Sequence, residues 1–223
     1  MCEVVWFGHE VARRPKIGVR GERGAVSNCY VVDPTRKSFL ATSRATAAVT
    51  IHTERLDLVP LLAETLASIL ERDSKRMKII QGLDITEEFL ESLDSNFISK
   101  QLDGVSARGD DADWFVRAVV RRVGATLIGH CGFHGPPAVV GRAELGYNIL
   151  QPYRGNSFAT EAAEGLVTWA RARGVGVVVA AVEPENVASM RVLDKVGFRQ
   201  TGVRVDAPGQ QMRVFEIGNE PVK

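Results

Sequence analysis

The chain has 223 residues, of which 45% are hydrophobic and 25% are charged, a balance typical of a globular protein with a sizeable core. Its 28 lysines and arginines against 27 aspartates and glutamates give a net charge of +1, so bulk charge does not point to nucleic-acid or membrane binding. The widely spaced Cys2, Cys29 and Cys131 form neither a disulfide framework nor a zinc site. With no secretory signal apparent, we expect a cytoplasmic protein.

The first 48 residues have no long hydrophobic periodicity and contain a stretch rich in Gly and Arg at 13–24. We interpret residues 1–48 as a poorly ordered or loosely packed extension, with a misplaced start as the alternative. A folded domain is expected over 49–219, followed by a short tail at 220–223.

Hydrophobic spacing predicts the elements of that domain in order. Alternation over 55–60 predicts a strand, and helical spacing over 61–71 and 86–102 predicts two helices, the second capped by Thr86. Strands are predicted at 114–120, 125–133, 144–150, 175–182, 199–205 and 211–217, and helices at 160–173 and 187–196. The continuous β-branched run at 175–182 indicates a buried central strand, and the whole predicts a mixed α/β fold.

The segment from Pro152 to Ala162 follows a predicted strand and opens a predicted helix. Small residues there let the backbone approach an anion, and the N–H groups and dipole of the first helical turn then bind phosphate. The segment has neither the Gly-Lys-Ser/Thr of a Walker loop nor three spaced glycines. By itself it fits an ordinary strand–helix turn equally well.

A second segment runs from Pro184 to Phe198. Asn186 is a candidate helix cap, and Ser189 lies one turn further along. Considered alone, this segment indicates a cap followed by a solvent-facing serine.

Together the two segments resemble the GNAT superfamily of acetyltransferases, whose phosphate loop reads Arg/Gln-x-x-Gly-x-Gly/Ala. Arg154, Ser157 and Ala159 occupy those positions here. The family's central glycine is thus a serine, which keeps its N–H and is costly only if the position needs a positive φ.

Further strings resemble the branch of ribosomal-protein N-terminal (RimJ/RimL-like) acetyltransferases. They are Asn-x-x-Ser-x-x-x-Leu-x-Lys-x-Gly-Phe from Asn186, Thr53-Glu54-Arg55-Leu56, residues 129–137 and Glu144-Leu145-Gly146-Tyr147. The resemblance covers roughly residues 50–218. It implies the GNAT fold, an α/β (α+β) domain with a mixed sheet of six to seven strands, a splayed parallel pair and about four helices.

The resemblance also implies a function. An acetyl group would pass from acetyl-CoA to a primary amine, either a protein N-terminus or a small molecule, by direct attack on the thioester. The alternative is a non-catalytic module that binds acyl-CoA. The pantetheine arm would pair with the backbone of Tyr147, Asn148 and Ile149, and the thioester carbonyl would accept the N–H near Asn148. The loop residues implied to hold the pyrophosphate are Arg154, Gly155, Asn156, Ser157, Phe158, Ala159 and Thr160.

An alkyl ammonium must lose a proton before it can attack, and a carboxylate acting through water is the usual base. Glu144 is the first candidate, because alternation places it on one strand face with Gly146 and Asn148. Its alternative role is a surface charge or a structural ion pair. By resemblance, Ser189 would donate a hydrogen bond to the leaving thiolate, and Asn186 would contact the pantetheine arm.

His130 and His134 flank the end of a predicted strand and are candidates for lining the acceptor pocket, although lone histidines are more often structural. With Cys131 they do not complete four ligands, so no metal is expected. We expect an acyl-CoA and an amine or peptide N-terminus as partners, no nucleic acid or membrane, and a monomer or homodimer.

Overall fold

A single mixed sheet of eight strands organises the chain in the computed structural model, which describes residues 49–137, 141–207 and 209–218. The expectations for residues 1–48 and 220–223 lie outside the described residues. The strand order is β1-β2-β3-β4-β5-β6-β8-β7, and β5 and β6 are parallel while the other neighbours are antiparallel. The strands are β1 Ile51–His52, β2 Leu56–Pro60, β3 Arg117–Arg121, β4 Thr126–Phe133, β5 Arg142–Ile149, β6 Val177–Val182, β7 Arg199–Ala207 and β8 Gln210–Gly218.

The mixed α/β fold is confirmed, with one strand more than the sequence indicated. That strand is β1, whose two residues pair with Leu58 and Asp57 of β2. Two residues are too few to show alternation, so the sequence carries no signal for it. The interior position of β6, between β5 and β8, agrees with its continuous apolar run.

Six α-helices cover the sheet in the described part of the chain, two more than the resemblance implied. They are α1 Ala63–Leu70, α2 Ser74–Gln81, α3 Glu87–Glu91, α4 Ser95–Arg108, α5 Phe158–Ala172 and α6 Val187–Val196. Helix α2 was not predicted because Met77 is its one buried residue, which leaves no apolar periodicity. Its ends are nevertheless encoded locally, since Asp73 accepts the Arg76 N–H and Gly82 follows at φ 68°.

The prediction of one helix over 86–102 is wrong, because the chain breaks between α3 and α4. Thr86 caps α3 as expected, accepting the Phe89 N–H at 3.3 Å. The Asp94 carboxylate accepts the Phe97 N–H at 2.8 Å and starts a new helix. A second N-cap inside an apolar pattern therefore divides it into two helices.

The sheet has a hydrophobic cluster on each face. On one face α5 packs against β5, and buried residues such as Leu166 meet Leu145 and Tyr147. On the other, each of α1 to α4 contributes to a second cluster with residues of β3: Leu66, Met77, Phe89 and Phe97, in that order. Among the described residues, no helix has the length and apolar character needed to cross a bilayer.

Candidate active site

The parallel strands β5 and β6 separate soon after they meet. Their pairs are Arg142 with Val177, Ala143 with Val178 and Glu144 with Val179. No pair is recorded beyond Glu144 in the described chain, whereas β4 stays paired with β5 as far as Ile149. One row of β5 backbone groups therefore faces an opening about 16 Å long, at roughly 3.3 Å per residue. The splayed pair is confirmed, and an extended ligand can pair with it as an added strand.

The open end of this cleft leads to the start of α5. A 3₁₀ turn at Gln151–Tyr153 follows β5, and α5 begins at Phe158 with Ser157 as its N-cap. The first N–H groups of a helix have no intrahelical acceptor, and the dipole favours negative charge there. The cleft and a potential anion site are thus continuous.

Ser157 occupies a conformation that favours glycine. Its φ is 62° and its ψ is 13°, in the left-handed region, and its side chain makes no capping hydrogen bond. Serine is therefore costly at this position, because the position does need a positive φ. A non-glycine residue there costs about 1–2 kcal/mol.

Arg154 joins the loop to the end of β5. Its Nε donates to the Ile149 carbonyl at 2.7 Å, and its Nη2 donates to Asn148 Oδ1 at 3.4 Å. On the other side of β5, a Cβ on Gly129 would lie 2.1 Å from the Asn148 carbonyl oxygen, so β4 needs glycine there. Contacts on both sides fix the strand segment that borders the cleft.

The side chains of β5 alternate as predicted. One face, formed by Leu145, Tyr147 and Ile149, is buried against α5. The other face carries Glu144, Gly146 and Asn148, and Asn148 is 3% exposed. The side chains of Glu144 and Asn148 therefore lie along one side of the sheet, four residues or about 13 Å apart along the strand. The backbone alternates differently: Glu144 accepts the His134 N–H and Leu150 donates to Ile128, so the Asn148 N–H faces β4, and the N–H groups of Tyr147 and Ile149 face the cleft.

Glu144 is held by an arginine from the far hairpin. Arg204 of β7 donates from Nη1 and Nη2 to the two carboxylate oxygens, at 2.6 Å each. His134 places its Nδ1 3.5 Å from the same carboxylate, and Asp206 also accepts from Arg204. Burial lowers the pKa of Arg204, but the bonds and charges of Glu144 and Asp206 outweigh it and raise that pKa. Sequence reasoning missed Arg204, since β7 lies three strands from β5 in the sheet.

Helix α6 brings the second motif to the side of β5 that faces α5. Asn186 Oδ1 accepts the Ser189 N–H at 3.1 Å, so the predicted cap is confirmed. Tyr147 donates from its hydroxyl to the Ser189 carbonyl at 3.2 Å and ties α6 to β5. Ser189 is fully buried rather than solvent-facing, and its Oγ has no hydrogen-bond partner among the described residues. A buried hydroxyl without a partner suits a ligand group that is not part of the protein.

The remaining candidates on β4 are buried. His130 lies between Phe89 and Phe97, and the centroid of each phenyl ring is 6.1 Å from the centroid of the imidazole. Burial lowers the pKa of His130 to about 4. Burial likewise raises the pKa of Cys131 to about 12, so its thiol is not an activated nucleophile. Within residues 49–137, 141–207 and 209–218, no three His, Cys, Asp or Glu side chains form a group that could hold a metal ion.

The match to a family model and the similarity to known proteins agree with this geometry. Residues 55–199 match the model described as acetyltransferase (GNAT) domain. An uncharacterized N-acetyltransferase p20 of Bacillus licheniformis is 27% identical over 169 residues, covering 75% of this chain and 92% of that protein.

Two solved structures share the fold. A putative ribosomal-protein-serine acetyltransferase from Vibrio cholerae is 21% identical, with a TM-score of 0.54 over 76% of this chain and 97% of the other. The microcin C7 self-immunity acetyltransferase MccE, in complex with acetyl-CoA and AMP, is 15% identical, with a TM-score of 0.51 over 74% and 93% of the two chains. On the strength of the family match, this chain belongs to the GNAT acetyltransferases and is an acetyl-CoA-dependent acyltransferase.

Proposed function

We propose that this chain transfers the acetyl group of acetyl-CoA to the primary amine of a small molecule or a protein N-terminus. The observation that carries the proposal is the continuity between the cleft beside β5 and the helix start at Ser157. The cleft fits the pantetheine arm, which would pair with the cleft-facing backbone groups of Tyr147 and Ile149, on either side of Asn148. The phosphates would accept hydrogen bonds from the loop. The residues proposed to contribute are Arg154, Gly155, Asn156, Ser157, Phe158, Ala159 and Thr160.

Acetyl-CoA supplies an activated acyl carbon. The protein supplies the groups that stabilise negative charge and transfer protons. The N–H of Tyr147 or Ile149, on either side of Asn148, faces the cleft and is the proposed donor to the thioester oxygen, where negative charge grows as the amine attacks. Glu144 is the proposed base. It lies about 13 Å from Asn148 along the strand, too far for one water to bridge, so the proton would reach it through a chain of waters. The proton leaves the ammonium before the C–N bond forms and the C–S bond breaks.

The leaving sulfur carries a negative charge that needs a hydrogen bond. Ser189 is the proposed donor, and its buried Oγ without a protein partner among the described residues supports this role. A serine hydroxyl is a weak acid, so the sulfur would take its proton finally from solvent. Asn186 is proposed to contact the pantetheine arm.

A second candidate function, an acyl-CoA-binding module without turnover, is favoured by one observation. Both oxygens of Glu144 already accept short hydrogen bonds from Arg204. A carboxylate bound in this way is a weaker base than one in water, because a neighbouring arginine favours its ionised form.

The discriminating experiment measures thiol release from acetyl-CoA with a panel of amines and peptide N-termini, alongside CoA binding by calorimetry. For the enzyme, Glu144→Gln should lower kcat about 100-fold and leave CoA affinity unchanged. Glu216→Gln is the matched control, because Glu216 of β8 also pairs with an arginine, Arg142, at 2.5 Å. Tight CoA binding with no turnover on any amine, before and after Glu144→Gln, would establish the binding module instead.

A further inference from the structure

Arg55 connects the turn before β2 to the first turn of α5. Its backbone N–H donates to Glu161 Oε1 at 2.6 Å, and its Nε donates to Glu161 Oε2 at 2.7 Å. Thr53 also donates to Glu161, at 2.6 Å. Burial raises the pKa of Glu161, but these hydrogen bonds and the Arg55 charge outweigh it and lower that pKa. Glu161 is therefore an ionised anchor that fixes the position of Arg55.

From that anchor the guanidinium reaches the residues on both sides of Ser157. Its Nη1 donates to the Asn156 carbonyl at 3.2 Å, and its central carbon lies 4.6 Å from the centroid of the Phe158 ring. A planar guanidinium can make a hydrogen bond and stack on an aromatic ring at once, which an ammonium cannot. Arg55 therefore contacts both neighbours of the one non-glycine residue of this loop that has a positive φ.

The contact with Asn156 sets the orientation of the following N–H. In a trans peptide the C=O and the N–H point in opposite directions. With the Asn156 carbonyl turned toward Arg55, the Ser157 N–H points away from it. Arg55 thus opposes rotation of this peptide plane.

We infer that Arg55 is a positioning residue for acyl-CoA, which holds the loop at Asn156–Phe158 in its phosphate-binding form and offsets the left-handed strain at Ser157. This inference rests on the proposed function, since it assumes that the CoA phosphates bind at this loop. Arg55 need not touch the ligand, because it acts through the orientation of the loop backbone.

The test measures CoA binding by calorimetry and separately kcat and KM for acetyl-CoA, using the full chain. Arg55→Ala should weaken CoA binding about tenfold, the loss of about one charged hydrogen bond, and raise the KM for acetyl-CoA with kcat within about twofold. Arg55→Lys should recover part of the affinity. Arg76→Ala is the matched control, because Arg76 is an exposed arginine of α2 that pairs with Glu71 at 3.3 Å, and CoA affinity should stay within about twofold.

The same substitutions in a Ser157→Gly background test the link to strain. Glycine adopts a positive φ without cost, so Arg55→Ala should then weaken CoA binding by about threefold or less. An equal loss in both backgrounds, or an unchanged CoA affinity in Arg55→Ala, would overturn the inference. If Arg55→Ala does not fold by circular dichroism, Arg55→Lys in the two backgrounds gives the same comparison.

Failure of the proposed function has a different signature. It would appear as no CoA binding by the unsubstituted chain and none by either Arg55 variant. CoA binding without turnover would instead leave the positioning role of Arg55 testable through affinity alone.

Discussion

Glu144 and Arg204 form a two-point ion pair across the sheet, with both carboxylate oxygens 2.6 Å from guanidinium nitrogens. The pair joins the strand that borders the cleft to the β7–β8 hairpin. Asp206 holds Arg204 from its other side, with Oδ1 2.6 Å from Nε. The orientation of the proposed base therefore depends on a residue 60 positions away in sequence.

We predict that Arg204→Ala lowers kcat about tenfold or more and leaves the KM for acetyl-CoA within about twofold. The reason is that a displaced carboxylate no longer lies in reach of the amine, and small misplacements have large effects on rate. Steady-state kinetics with varied acetyl-CoA at a saturating amine concentration measure both constants. Arg142→Ala, which removes the partner of Glu216, serves as the control. An unchanged kcat in Arg204→Ala would show that the ion pair is structural, and a higher kcat would show that Arg204 weakens Glu144 as a base.

Ser157 provides a prediction about stability. Ser157→Gly should raise the free energy of unfolding by about 0.5–1 kcal/mol, because relief of the left-handed strain exceeds the added chain entropy. Gly155→Ala is the reverse test. Gly155 has φ 79°, and a Cβ added there would meet no atom within 4 Å, so backbone strain alone should destabilise the variant. Urea denaturation measures both, and stability that falls in Ser157→Gly would contradict the assigned strain.

Substitution of Ser189 should affect the reaction rate and leave the stability of the fold nearly unchanged. Ser189→Ala should lower kcat about fivefold to tenfold, while the free energy of unfolding stays level or rises slightly, because a buried hydroxyl without a partner adds no stability. Asn186→Ala is the contrasting variant, since loss of its cap costs about 1 kcal/mol. Parallel measurement of kcat and of thermal unfolding checks both. A Ser189→Ala variant with full activity would remove the serine from the mechanism.

His130 gives a prediction about pH. Burial depresses its pKa to about 4 in the folded chain, against an ordinary value of about 6.5. The unfolded chain binds more protons between these values, so His130 destabilises the fold progressively as pH falls from about 6.5 to about 4. His130→Leu should reduce the loss of stability between pH 7.5 and pH 5 by about 2 kcal/mol, at 1.36 kcal/mol per pKa unit. Urea unfolding at pH 7.5, 6 and 5 measures the slope, and equal slopes in the two proteins would refute burial of a neutral imidazole.

Local sequence patterns predicted much of the fold. The β-branched run of β6, the alternation along β5 and the caps at Thr86 and Asn186 each depend on a few neighbouring residues. The loop at Arg154 and its departure at Ser157 were also visible in the sequence, because they are spacing patterns. The break between α3 and α4 was missed because the apolar spacing continues across the cap at Asp94.

By itself, then, the sequence determined the order of most of the elements, the buried face of β5 and the two motifs of the GNAT fold, since these depend on residues only a few positions apart. The tertiary structure decided which distant charges meet. Arg204 reaches Glu144, and Arg55 reaches Glu161, only because the sheet order and the packing of α5 bring these pairs together. It also decided the sign of φ at Ser157, because the geometry of the turn from β5 into α5 fixes a backbone angle that the residue type does not favour.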